Sequence, residues 1–216
     1  MKYKIQSTRI LTSEELLTEL HKSAVLYSKY ADTVLLFIFR ENKADKYDFY
    51  EVRFGKNNFM HLAGIKSKML SANEFYEVCL AGTVAREHCN PRRSAGAMYS
   101  KVSVMCQLLD LSKGKCYKIG KKNLVTRDND FEMATGNEAG VIGYDLRINT
   151  KASMPTTLLN NPITDYCSRP QKIMYILQRQ DNEEAYKKVF YEIKKGLFET
   201  EKAGFSDELK KMIEMR

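Results

Sequence analysis

The 216-residue sequence predicts an α+β fold: N-terminal helices packed on a twisted antiparallel sheet, with further helices at the periphery. Three observations carry that expectation. Two capping boxes open amphipathic segments, at Thr12–Glu15 and Ser71–Glu74. A continuous β-prone run and an alternating one follow each other within 33–54. From residue 115 onward the chain breaks into short β-prone pieces cut by Gly, Asn and Asp.

The elements follow in order. "TSEELLTELHKSAVLY" (12–27) begins with Thr12 and Glu15 and sets Leu16, Leu17, Leu20, Ala24 and Tyr27 at helical spacing, with His21 beside the stripe as a packing or surface residue. "TVLLFIFR" (33–40) is apolar without alternation, the pattern of a strand buried on both faces, and "YDFYEVRF" (47–54) alternates as a half-buried neighbour should. "GKNN" breaks that strand ahead of "NFMHLAGI" (58–65). A second helix is expected over 71–87, with Phe75, Val78, Cys79, Gly82 and Ala85 on its apolar face, and a third over 95–111, with Met98, Val102, Met105, Leu108 and Leu109 as core. The loop "HCNPRRS" joins them.

"KCYKIG", "NLVTR", "DFEMATG" and "GVIGYDLRI" read as an antiparallel meander, with Gly136 or Asn137 supplying a positive φ at the "TGN" turn. "SRPQKIMYILQR" (168–179) reads as a helix capped by Ser168, with Pro170 in its first turn. Periodicity leaves 181–195 open between helix and strand, and "SDELKKMIEMR" reads as a short helix. No repeat or low-complexity linker divides the chain, so one domain is expected.

Composition narrows the class. Hydrophobic residues make up 44% and charged residues 29%, the balance of a soluble globular protein. The longest apolar run, "VLLFIF", is too short to span a membrane, and "MKYKIQSTRI" lacks the apolar core of a signal peptide. Five cysteines without a CxxC pair are expected to be reduced thiols of a cytoplasmic protein, and Cys89 beside His88 lacks a second ligand pair for zinc. No metal or cofactor is expected. A net charge of +8 favours a polyanionic partner. Walker, GxSxG and HExxH motifs are absent, which removes support for P-loop nucleotide hydrolases, serine hydrolases and zincins.

Three segments carry polar residues between rigid elements: "NFMHLAGIKSK" with His61, Gly64, Lys66 and Lys68; "ATGNEAGVIGYD" with Thr135, Asn137 and Tyr144; and "MPTTLLNN" with Thr156 and Thr157. Metal-free RNA cleavage needs a base for the 2′-hydroxyl proton, an acid for the leaving oxygen, and donors that steady the phosphorane. Histidine titrates in the right range, and lysine, arginine and threonine suit the third task. Against this stands the ordinary reading of His61 as a structural residue and of "TGN…GY" as a hairpin. The basic loops "CNPRRS", with Arg92 and Arg93, and "KGKCYKIGKK" are either solvated loops or phosphate-binding patches.

The order "NFMHLAG … SANEFYE … ATGNEAGVIGYD … MPTTLLNN … SRPQKIMYILQR" resembles the phage branch of the barnase/EndoU/colicin/RelE-like nucleases, and in particular its fourth type, PBECR4. The resemblance covers roughly 33–191, as a nuclease-like core between an N-terminal helical segment (1–32) and a C-terminal helical tail (192–216). It implies a sheet of four to five strands, a phage or prophage setting, and metal-independent RNA cleavage on tRNA or other host RNA in the host cytoplasm. His61 matches the family's "HLTG"-like segment, Thr135 and Asn137 its "TGN", and Thr157 its "TLL". Ala63 stands where the family more often has threonine, which puts activity in question.

On this reading His61 is general acid/base, Lys66 a phosphate contact, and Thr135 and Asn137 hydrogen-bond the transition state or substrate. Lys68, Arg92, Arg93, Tyr144 and Thr157 bind substrate. Two other classes stand beside it: a non-enzymatic effector that blocks a host defence protein or nucleic-acid complex, and an RNA-binding module that stacks bases on Tyr and Phe.

Overall fold

The computed structural model describes residues 11–40, 46–114, 118–122, 131–145 and 152–213. The first helix, α1 (Ser13–Tyr27), starts where its capping box places it: the Thr12 hydroxyl accepts from the Glu15 amide and the Glu15 carboxylate accepts from the Thr12 amide. Its Leu16, Leu20, Ala24 and Tyr27 are fully buried.

Strands β1 (Thr33–Arg40) and β2 (Tyr47–Phe54) form an antiparallel pair in continuous register from Thr33↔Phe54 to Arg40↔Tyr47. β1 is buried on both faces, as its unbroken apolar run requires. Leu35, Phe37 and Phe39 face the helices and the main core, while Val34, Leu36 and Ile38 face a second core with Tyr175, Phe198, Phe205 and Leu209. Burying one such side chain contributes roughly 1.5–3 kcal/mol.

A short helix α2 (Lys56–Leu62) carries His61, and the two-residue strand β3 (Ile65–Lys66) follows it. Helix α3 (Ala72–Ala81) has the predicted Ser71–Glu74 capping box, yet it stops well short of residue 87. Gly82, expected on its apolar face, instead takes φ +72 as the left-handed cap that ends it, and His21 packs over it. Strand β4 (Asn90–Pro91) pairs with β3, and helix α4 (Ala95–Leu109) follows with Met98, Val102, Met105, Leu108 and Leu109 buried.

The meander is β5 (Lys118–Lys121), β6 (Met133–Gly136), β7 (Val141–Asp145) and β8 (Met154–Leu159), each antiparallel to the next. "NLVTR" lies outside the described residues. The "TGN" turn needs no positive φ. Asn137 builds it with its side chain, Oδ1 accepting from the amides of Ala139 (2.7 Å) and Gly140 (3.3 Å). Gly136 is there for space, since a Cβ would come within 2.4 Å of the Gly140 carbonyl.

The segment expected to be a helix over 168–179 is the ten-residue strand β9 (Gln171–Gln180). Pairing overrides the cap-like "SRPQ" signal: β9 lies against β1 on one side and against β5 and β10 (Lys188–Glu192) on the other. β10 also settles 181–195, where its five residues are strand. The sheet runs β2-β1-β9-β5-β6-β7-β8 with β10 also on β9, eight strands rather than four to five. It curls until its ends meet: Val52 of β2 bridges Ser153 just before β8, and the Arg53 amide donates to the Ser153 carbonyl at 2.8 Å. Helices α5 (Leu197–Glu201) and α6 (Asp207–Met212) cover the second core, and Glu201 accepts hydrogen bonds from the hydroxyls of Tyr47 and Tyr175. Among the described residues, no helix is long and apolar enough to cross a membrane.

Candidate nucleic-acid cleft

β8 carries one residue too many for its partner. Gly143 pairs with Thr157 and Tyr144 with Pro155, which leaves Thr156 in a β-bulge. A bulge turns the extra residue out of the ladder, and the Thr156 carbonyl accepts a hydrogen bond from His61 Nε2. A carbonyl only accepts, so the ring proton sits on Nε2 and Nδ1 is the acceptor. Arg92 Nη1 donates to that Nδ1 at 2.6 Å. Both ring nitrogens of the half-buried His61 are thus engaged.

Arg92 reaches His61 through the backbone as well as the side chain. The β3–β4 pair brings the two segments side by side, and the Arg92 amide donates to the Gly64 carbonyl at 2.9 Å. Gly64 takes φ +71, the region that favours glycine. A Cβ there would stand 2.9 Å from Cδ of Lys101, so the "HLAG" turn serves as the floor on which the lysine stem lies. Ala63 is fully buried in the main core and does not line the cleft.

These groups surround a cleft of about 500 Å³ between α2, α4 and β8. His61, Arg92, Arg93 and Lys101 supply its basic wall, and Thr156, Thr157, Asn160 and Asn161 its neutral hydrogen-bonding wall. Asp145, at the end of β7, is the single acid among the described lining residues. Arg92, Arg93 and Lys101 have no carboxylate partner among the described residues. Burial, reinforced by the Arg93 and Arg92 charges, pulls the Lys101 ammonium down to about 8. The cleft can hold an anion and offers a group that changes protonation near neutral pH.

Of the residues singled out in the sequence, His61, Gly64, Arg92, Arg93, Thr156 and Thr157 meet in this cleft. Lys66 and Lys68 are exposed and lie outside its lining. Thr135, Asn137 and Tyr144 are buried in the sheet: the Thr135 hydroxyl bonds the Tyr144 hydroxyl, and Tyr144 packs against Phe37, Tyr50 and Phe54. Their roles here are those of turn builder and core hydrogen bond.

Lys101, Asp145, Asn160 and Asn161 were not singled out. For Lys101 a signal existed, because it stands three residues after Met98 and four before Met105, on the apolar face of α4. The described residues hold no group of three His, Cys, Asp or Glu arranged for a metal, and the four described cysteines are free thiols.

No curated protein and no solved structure matches the chain. A family model does, over residues 19–195, most of the sequence. By that match the chain belongs to the phage-Barnase-EndoU-ColicinE5/D-RelE like nuclease4 family, PBECR4.

Proposed function

We propose that the cleft binds the phosphodiester backbone of RNA and cleaves it without a metal ion, with tRNA or other host RNA as substrate in the host cytoplasm. One observation carries this reading: Arg92, Arg93 and Lys101 converge on one cleft, none of them ion-paired to a carboxylate among the described residues, and Asp145 is the single acid facing them in the described lining. A half-buried ammonium such as that of Lys101 is costly unless an anion completes the site, and the exposed Arg92 and Arg93 beside it add to that cost. Membership in a nuclease-like family makes a phosphodiester the fitting anion.

The arginines hold the nonbridging oxygens and stabilise the charge that builds on phosphorus. Thr157, Asn160 and Asn161, across the cleft, are placed to hydrogen-bond sugar or base. Lys66 and Lys68 lie outside the lining, available to phosphates beyond the scissile one.

The test is an RNase assay in EDTA with total tRNA and a long single-stranded RNA, comparing wild type with the double variant R92A/R93A. Cleavage to 2′,3′-cyclic phosphate ends, lost in the variant, is expected. No cleavage by the folded wild type refutes the enzyme reading for these substrates.

A second reading has its own observation. His61, the acid/base candidate of the sequence, has both ring nitrogens engaged by Thr156 and Arg92. That suits a protein that keeps the fold and uses the basic cleft to block a host defence protein or nucleic-acid complex. It predicts salt-sensitive binding to that target with no product formed.

A further inference from the structure

We propose that Lys101 is the proton-transferring residue of the cleft, and that His61 is a positioning residue which holds Arg92 in place. The inference rests on the reading of the cleft as an RNA-cleaving site and assigns its chemistry.

Consider first what His61 can do. A general base needs a lone pair facing the substrate. The lone pair of His61 sits on Nδ1 and faces the Arg92 guanidinium, and its N–H faces the Thr156 carbonyl. The Thr156 carbonyl is fixed by the bulge in β8, and the Arg92 side chain starts from a backbone tied to Gly64 beside the β3–β4 pair. The ring therefore works as a strut between β8 and Arg92. It fixes one rotamer of an exposed arginine that would otherwise sample many.

Lys101 is placed differently. Its stem lies on Gly64, where a side chain would collide with it. Its ammonium makes no hydrogen bond or ion pair among the described residues, although it is half-buried. A lysine kept for structure has a carboxylate or carbonyl to receive its three protons. The charged or titratable groups that share its cleft are Arg92 and Arg93 from the chain between β4 and α4, His61 from α2, and Asp145 from β7. No other charged residue lines it among the described residues; β8 contributes hydroxyls and Leu side chains. Burial, and then the Arg93 and Arg92 guanidiniums, favour the neutral amine, in line with a titration near 8, so roughly a tenth of the molecules hold a free amine at pH 7.

The chemical step is then complete without a second side chain. The Lys101 amine takes the proton of the 2′-hydroxyl as the 2′-oxygen forms its bond to phosphorus. The bond from phosphorus to the 5′-oxygen breaks, and a water molecule protonates that oxygen. The hydroxide so formed takes the proton back from the Lys101 ammonium. The products are a 2′,3′-cyclic phosphate and a 5′-hydroxyl, and Arg92 and Arg93 carry the phosphorane charge throughout.

The experiment is the pH dependence of kcat/KM between pH 6 and 9.5, in EDTA, for wild type and for Lys101→Arg, Lys101→Met and His61→Gln, each checked for folding by circular dichroism. Glutamine keeps an N–H for the Thr156 carbonyl. The wild-type rate is expected to rise tenfold per pH unit and level off near 8. Both Lys101 variants are expected to lose about 10²–10⁴-fold and to lose the inflection. His61→Gln is expected to keep the inflection while KM rises, because only Arg92 is loosened. A Lys101→Arg enzyme with the wild-type profile, or an inflection that vanishes in His61→Gln, overturns the assignment. A folded wild type that cleaves no RNA brings down the cleavage reading itself, and this assignment with it.

Discussion

Replacing Lys101 with methionine should stabilise the protein at neutral pH while removing its activity. Methionine keeps the apolar stem that lies on Gly64 and discards the charge. The ammonium titrates at about 8 in the folded chain, against 10.5 for an ordinary lysine. At about 1.36 kcal/mol per pH unit, the gap corresponds to about 3 kcal/mol of strain in the folded state, an upper bound because the head group still meets solvent in the cleft.

The pH dependence gives the sign. Below 8 the lysine is charged whether folded or unfolded, and the full penalty is present. Between 8 and 10.5 the folded chain has released the proton and the unfolded chain has not, so wild-type stability climbs as pH rises. Above 10.5 both are neutral and the penalty is gone.

Urea denaturation of wild type and variant at pH 7 and pH 10 measures this directly. The variant is expected to be more stable at pH 7, with the difference shrinking at pH 10. A variant less stable than wild type at pH 7, or an equal difference at both pH values, would show that Lys101 is not a destabilising charge. Stability gained where function is lost is the mark of a site held in a costly state.

Two further outcomes separate the cleft from the sheet. Gly64→Ala places a Cβ 2.9 Å from the Lys101 stem in a left-handed backbone. It should cost about 1–2 kcal/mol in urea denaturation and lower cleavage beyond any loss of folded protein. Thr135→Val removes a buried hydrogen bond to Tyr144 outside the cleft lining, so it should cost about 1–3 kcal/mol while activity per folded molecule stays at the wild-type level.

Much of the fold was legible because local and tertiary preferences agree. The Thr12–Glu15 and Ser71–Glu74 boxes are built as written, and the seven buried residues of β1 correspond to its unbroken apolar run. β9 was illegible for the opposite reason. Ser168, Pro170 and Gln171 mimic a helix start, and only partners on both sides, distant in sequence, make the segment a strand.

The site divided in the same way. His61, Arg92, Arg93 and Thr157 come from segments that looked polar for their setting, and they share the cleft. Thr135 and Tyr144 looked equally chemical, yet they satisfy each other inside the sheet. Lys101 was hidden by its neighbours, since Met98, Val102 and Met105 made α4 read as core. What sets it apart is a half-buried ammonium in a basic cleft that forms no ion pair among the described residues.

The seam where the sheet closes acts as a length gauge. Ser153 is clamped to β2 by its own amide, its carbonyl and the Tyr50 hydroxyl, and three positions later Thr156 must present its carbonyl to His61. Adding or deleting one residue between them would exchange the faces of everything that follows in β8, because side chains alternate with period two. Thr157 would leave the cleft and Leu158 would leave the core. The two residues between Ser153 and Thr156 set how far the wall of β8 stands from His61 and leave no slack.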